Sequence, residues 1–418
     1  MKINIKKKWL DFYQSLGFKK IETASLVHPS FPTSFNMSAG LVQLDPRIRQ
    51  KDKVEASKEC LVQKCVRHFD IHKVGDSSHL SFFEMAAAFE VVMIDEKKTI
   101  KNIWDFLTEE LEIGIDKLWV TAFDQDRVAG KTISLPDGLR DLLDDLVGEK
   151  VVYSGQKTNL WKQGGGAEFV DNIRLCGPQV EFFYDKGENL SCGKNCNVFC
   201  SCGRFLEISN TLFIYYYIDY NKDPVLKKVV NRSTETVIGV ERCAKVVESS
   251  QDLFLTSCFS PLTSVINKKL DENVKIIIDH IKSLVFILSE EEIKPTKSDR
   301  GRIVRTLIRK SLASLYILKL DPKKVLPLLI EEAIKMYQGS YPEVKNSKET
   351  VLRIIFEHEQ IYKKTLVKAK RKIDKYLTDN NVKELSEEKK EYFWLRYGVP
   401  KKLVPRLMHE SGLTSQLV

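Results

Sequence analysis

Residues 63–85 read QKCVRHFDIHKVGDSSHLSFFEM. An apolar run closes on Arg67, a polar loop follows, and His79 and Phe83 open a second run of β-forming residues. Two strands joined in this way can present a phosphate-bearing ligand with donors and a ring. The planar fork of Arg67 suits an α-phosphate, the ring of Phe83 suits stacking on an adenine, and His79 can reach terminal phosphates. Far along the chain, residues 233–243 read STETVIGVERC, placing Gly239 and Arg242 at a passage from strand to helix. A lone arginine in a hairpin is usually a surface residue. The order and spacing of these segments are what point to ATP held in a bent shape over an antiparallel sheet.

The flanking sequence agrees. Trp9, Phe12, Tyr13 and Leu16 recur at helical spacing before Gly17. From about residue 20 to 240 short β-rich runs dominate, among them LWVTAF (118–123), VEFFY (180–184) and RFLEISNTLFIYYYI (204–218), with one helical pattern at 100–111. Strands that do not alternate regularly with helices predict an α+β domain on an antiparallel sheet. After Pro261 the apolar period becomes 3.6, and residues 267–288, 300–320, 323–336 and 350–377 read as amphipathic helices. The expected organisation is a sheet domain over 1–261 and an α-helical domain over 262–418.

Charge follows the same division. The 418 residues carry a net +9, yet residues 1–261 hold 34 Lys and Arg against 36 Asp and Glu, whereas 262–418 hold 32 against 21. A basic helical domain beside a near-neutral one suits a polyanion-binding module beside a chemical one, although a lysine-rich solvated surface gives the same count. The last helix has a conspicuously basic middle, KKTLVKAKRKIDK. No apolar stretch approaches a membrane span and the N-terminus has no signal core, so a cytoplasmic protein is expected. Cys192, Cys196, Cys200 and Cys202 fall within eleven residues. Four thiolates at that density suit one tetrahedral, structural Zn2+, with loop thiols as the plain alternative.

These segments together resemble class II aminoacyl-tRNA synthetases, and the alanyl enzymes in particular. The match runs in order through SAGLVQ (38–43), QKCVR (63–67), HLSFFEM (79–85), NLW (159–161), CGPQVEFFYD (176–185), FLEISNTLF (205–213), the helical run from DHIKS (279–283) to IRKSL (308–312), and RYGVP (396–400). The resemblance implies a class II antiparallel catalytic domain followed by a helical tRNA-acceptor-binding domain. It further implies ATP-dependent activation of a small amino acid, alanine first, with Mg2+ on the phosphates, and transfer to tRNA. Arg67, His79 and Arg242 would be the catalytic cations. Phe83, Met85 and Gly239 would complete the ATP site, and Leu41, Trp161, Asn210, Leu212, Glu235 and Val237 the amino-acid pocket. Asp299, Arg300, Arg302, Arg305, Arg309 and Lys310 would meet the tRNA acceptor stem.

The departures carry expectations too. Glu235 stands where the family has an aspartate for the substrate ammonium, and Val237 where it has the first glycine of Gly-x-Gly. The loop between Arg67 and His79 is short, and residues 164–175 are an insertion. Asp299, Lys310 and Leu395 replace the residues that read a G·U pair in the alanyl family. No counterpart of the family's editing domain or oligomerising tail is expected in these residues, and a monomer is compatible with the sequence. Two rival readings share the same motifs. One is a biosynthetic paralogue loading a carrier protein or small acceptor, and the other is a catalytically dead regulatory or tRNA-binding paralogue. The basic helical domain favours RNA over a carrier, and retention of Arg67, Phe83 and Arg242 favours chemistry.

Overall fold

The computed structural model of the protein describes residues 3–27, 35, 37–76, 78–164 and 172–409. The insertion at 164–175 falls mostly outside them. The chain divides into two compact units. One holds the described residues of 3–256 apart from 35 and 66–82, and the other holds 35, 66–76, 78–82 and 257–409.

The first unit is built on eleven described strands. They are β1 (Lys19–Lys20), β2 (Ser57–Val66), β3 (Phe82–Val91), β4 (Leu118–Phe123), β5 (Gln125–Val128) and β6 (Lys131–Ser134), then β7 (Val151–Ser154), β8 (Leu160–Lys162), β9 (Ile173–Asp185), β10 (Phe205–Asp219) and β11 (Val225–Gly239). The main sheet has the order β1-β2-β3-β11-β10-β9-β4-β7, with β8 also on β9, while β5 and β6 form a separate hairpin. Its central pairs, β3–β11, β11–β10, β10–β9 and β9–β4, are antiparallel; β1–β2 and β4–β7 are parallel. The architecture is therefore the expected α+β type. The centre of the sheet is long because β9, β10 and β11 are rich in aromatic and β-branched residues, which fit a pleated surface buried on one or both faces.

At Gly177 on β9 the neighbouring backbone comes unusually close. A Cβ there would meet the Phe213 carbonyl oxygen at 1.7 Å, so only glycine allows β9 and β10 this approach. The N-terminal helix, Ile5–Ser15, is capped by Asn4, whose side chain accepts from Lys7 N–H. It drives Trp9 into the unit, where the indole N–H donates to Ala87 O at 3.2 Å. The helical pattern at 100–111 is realised as the helix Glu96–Asp105 followed by a π turn, Phe106–Glu110. Phe106 and Leu107 on that turn are fully buried and continue the core face begun by Ile103 and Trp104.

In the second unit the helices Glu272–Glu290, Asp299–Ile317, Pro322–Tyr337 and Lys348–Asp379 pack together. Glu272–Glu290 is buried continuously from Val274 to Leu288, so it forms the centre rather than an amphipathic wall. Even Lys282 is fully buried, its ammonium 4.4 Å from the Phe259 ring centroid and 5.1 and 5.2 Å from those of Phe82 and Tyr337. No helix among the described residues is long and apolar enough to cross a membrane.

Candidate functional site

Strand register gathers the expected amino-acid pocket on one face of the sheet. Phe89 pairs with Glu235, which pairs with Leu212; Ala87 pairs with Val237, which pairs with Asn210. Asn210 in turn pairs with Glu181 and Leu212 with Gln179. Because side chains alternate along a strand, these positions share a face. Leu41, Met85, Leu212 and Val237 join one buried apolar cluster, against which Phe83 and Trp161 pack partly buried. Glu235 is 2% exposed, a carboxylate inside an apolar wall. Its Oε1 accepts the Leu41 backbone N–H at 2.6 Å. Gly40 makes room for that bond: a Cβ there would lie 2.9 Å from Phe89 Cζ, 3.1 Å from Ala87 Cβ and 3.2 Å from Glu235 Oε1. The short helical turn Gly40–Gln43 is thus tied to the pocket through a buried acid.

Beside the pocket, and reaching Asn210 within it, lies a polar network centred on Glu181, a residue that reading the sequence did not single out. Glu181 Oε2 accepts from Thr121 Oγ1 at 2.8 Å and from Asn159 Nδ2 at 3.2 Å, and Oε1 accepts from Gln179 Nε2 at 3.2 Å. Asn210 Nδ2 reaches both Gln179 and Glu181 at 3.5 Å. Burial, with a smaller push from the Glu207 charge, raises the Glu181 carboxyl to about 7, against the bonds from Thr121 and Asn159. Period-two spacing of Gln179 and Glu181 on a strand leading from Cys176-Gly177-Pro178 was the available signal.

Arg242 stands in the first turn of the helix Val240–Val247, which starts directly after β11, as the strand-to-helix reading required. Its guanidinium donates to Glu207 Oε2 at 2.9 Å and to Glu207 O at 3.2 Å, leaving it 28% exposed. Gly239 ends the strand opposite Met85.

Arg67 and His79 belong to the second unit, on the segment 66–82. The Arg67 N–H donates to Ser81 O at 2.9 Å, closing the base of the loop. The His79 ring meets Asp76 Oδ2 at 2.5 Å, and Asp76 Oδ1 accepts the backbone N–H groups of Ser78 and His79. Partial burial pushes Asp76 upward, yet those donors outweigh it and hold the carboxyl below its ordinary range. Ser81 is itself fastened from the central helix. Its N–H donates to Asp279 Oδ1 at 3.0 Å, its hydroxyl to Asp279 Oδ2, and Ser283 Oγ lies 2.8 Å from the same hydroxyl. Asp279 therefore fixes the residue that receives Arg67.

A family model described as tRNA synthetases class II (A) matches residues 4–417. The chain belongs to this family. The alanine–tRNA ligase of Dehalococcoides mccartyi strain 195 is 29% identical to it over 430 residues, covering 99% of this chain and 47% of the relative. That of Carboxydothermus hydrogenoformans is 30% identical, covering 98% and 46%. The chain thus spans about half the length of the curated relatives it matches. The solved histidyl-tRNA synthetase of S. aureus covers 58% of this chain and 64% of its own at 9% identity, with a TM-score of 0.34, a likeness that carries no argument.

For a class II tRNA synthetase, the expected RNA-facing cations take unequal positions. Arg302 is exposed, Arg305 is partly buried, and Arg300 pairs with Glu291. Asp299 is exposed at the start of its helix. Arg309 is 8% exposed, donating to His358 Nε2 at 3.1 Å and to Tyr397 O at 3.4 Å. Lys310 donates to Ile71 O at 2.6 Å. Arg309 and Lys310 thus serve internal bonds.

Among the cysteines, the sulfurs of Cys192, Cys196 and Cys200 lie within 4.8 Å of one another, and Cys196 Sγ is 3.7 Å from Cys202 Sγ. A tetrahedral zinc with bonds of about 2.3 Å sets its sulfurs about 3.8 Å apart, so the group of Cys192, Cys196 and Cys200 is compatible with that metal. Cys202, the expected fourth donor, falls outside this group and lies beside Cys196. The backbone N–H of Cys192 draws the Cys196 thiol down to about 7, while the neighbouring thiols push Cys192 up to about 12.

Proposed function

We propose that this chain activates alanine with ATP and transfers it to the acceptor end of a tRNA in the cytoplasm. The carrying observation is the pocket face. A buried carboxylate, Glu235, stands among Trp161, Leu212 and Val237, with Asn210 two positions from Leu212 on the same strand. Such a wall suits a small aliphatic side chain, and the Glu235 carboxylate offers a negative charge to an ammonium beside it. That the relatives are alanine–tRNA ligases supports the same substrate.

In the proposed reaction an alanine carboxylate oxygen attacks the α-phosphorus, the bond to the bridging oxygen breaks, and pyrophosphate leaves. A tRNA hydroxyl then attacks the aminoacyl carbonyl and AMP departs. Glu235 holds the ammonium, Phe83 stacks on the adenine, and Arg67, His79 and Arg242 neutralise phosphate charge, so that positioning and electrostatics carry the rate. Mg2+ bound to the phosphates supplies further neutralisation. Residues 1–261 form the adenylate-forming part and 262–418 the acceptor-binding part of this proposal. Zn2+ at Cys192, Cys196, Cys200 and Cys202 is proposed as structural, because four thiolates leave no open position.

The test is ATP–pyrophosphate exchange with each of the twenty amino acids, followed by charging of tRNA. Alanine-dependent exchange with tRNA charging is expected. Exchange without charging of any tRNA would move the acceptor to a carrier, and no exchange with any amino acid would sink the enzymatic reading.

A further inference from the structure

The basic stretch near the end of the chain resolves into an organised surface. Lys348–Asp379 is one continuous helix of 32 residues. Its inward face, including Val351, Ile355, Tyr362, Leu366, Ala369 and Ile373, is buried. On the outward face Lys364, Lys368, Arg371, Lys372 and Lys375 are all exposed. At 3.6 residues per turn these five fall within about 100° of arc, and from Lys364 to Lys375 they span about 16 Å of helix axis. Among the described residues none of the five side chains makes an ion pair or hydrogen bond, whereas the nearby acid Asp374 is already held by Lys370 at 3.2 Å, off the stripe.

We propose that this stripe is a docking surface for the sugar-phosphate backbone of a double-helical RNA stem. The inference rests on the acceptor reading above and adds to it a contact surface separate from residues 299–310. Charge complementarity selects the partner. Duplex nucleic acid carries about one charge per 1.7 Å of axis, so a 16 Å stripe faces roughly ten phosphates with five unneutralised cations. Side chains of this kind hold and orient a backbone without reading its sequence. An anionic membrane is the weaker fit. Surface-lying helices insert an apolar face beside their basic one, and here the apolar face is already spent in the core.

The experiment compares the wild-type chain with Lys368→Gln/Arg371→Gln/Lys375→Gln and with a control, Lys323→Gln/Lys324→Gln/Lys345→Gln, which removes three exposed cations of the same unit off the stripe. Affinity for a tRNA acceptor-stem hairpin is measured by fluorescence anisotropy from 50 to 300 mM KCl. Each lost phosphate contact lowers the slope of log affinity against log salt by about 0.7–0.9, so the stripe variant is expected to lose about two in slope and at least about tenfold in affinity at 50 mM. The control is expected to change the slope by less than about half a unit. Alanine-dependent exchange and the melting temperature should match wild type in both. Equal losses in the two variants, or none in the stripe variant, overturn the stripe while leaving the activation reading intact. A wild-type chain that binds no hairpin, yet binds phosphatidylserine vesicles through the stripe, overturns the RNA proposal. Exchange activity then reports separately on the enzyme.

Discussion

Glu235 joins the proposed chemistry to the fold, because one of its oxygens already accepts the Leu41 N–H. Glu235→Gln keeps an acceptor for that bond but removes the charge offered to an ammonium. The KM for alanine in exchange should rise tenfold or more while the KM for ATP stays within about twofold; equal shifts in both would remove Glu235 from the pocket. Arg67→Ala and Arg242→Ala should each cost about 2–4 kcal/mol of transition-state stabilisation, two to three decades in exchange rate, without unfolding the chain. Glu181 makes a pH prediction. Its folded carboxyl lies at about 7 against an ordinary 4.5, so the stability associated with the protonated form is full below about 4.5 and is lost as pH rises through 7. Glu181→Gln removes that dependence. Denaturation midpoints of variant and wild type should diverge between pH 4.5 and 7 and run parallel above it. At the cysteines, purified protein should hold about one zinc per chain, and Cys196→Ser should lose the metal and melt earlier. A metal-free protein of unchanged stability would make them loop thiols.

At the scale of elements, Gly177 and Asp279 are the informative positions. Gly177→Ala forces β9 away from the Phe213 carbonyl and should destabilise by about 3 kcal/mol, at the upper end of overpacking costs, read as a lower denaturation midpoint. Asp279→Ala strips Ser81 of two bonds made from a buried helix. The Ser81 hydroxyl keeps Ser283, but leaving the Ser81 N–H unmet costs about 1–3 kcal/mol, and hydrogen exchange should quicken across residues 66–82 well beyond the rest of the second unit. Uniform change throughout that unit would mean that Asp279 serves general packing and not this loop. The sequence showed that β9, β10 and the four long helices exist, because aromatic runs and the 3.6 period are local signals. It did not show that DHIKS holds the loop of Arg67, since Ser81 and Asp279 are nearly two hundred residues apart.

Over the whole molecule the positive surplus lies in residues 262–418, so binding to tRNA hairpins should be steeply salt-dependent. Sequence discrimination at a G·U pair should be weak. Leu395 is 75% exposed and has no side-chain donor or acceptor, and the Lys310 ammonium is engaged by Ile71 O. Minihelices differing only in G·U or G·C at that pair should bind and charge within about tenfold of each other, and a hundredfold preference for G·U would refute this.

Much was settled in one dimension. The order of motifs from residue 38 to 400 determined family and fold class, because each motif joins a strand or helix signal to a chemically distinctive side chain within a few residues. The basic domain and the cysteine spacing were equally plain. Tertiary structure decided what depends on neighbours distant in the chain. It turned Glu235 toward the Leu41 N–H, raised Glu181 through burial beside Glu207, withdrew Arg309 and Lys310 into internal bonds, and left the stripe from Lys364 to Lys375 facing outward. A charge written in sequence has no environment. Burial and hydrogen-bond partners, which only packing supplies, determine whether it holds a fold, titrates near neutrality or waits for a ligand.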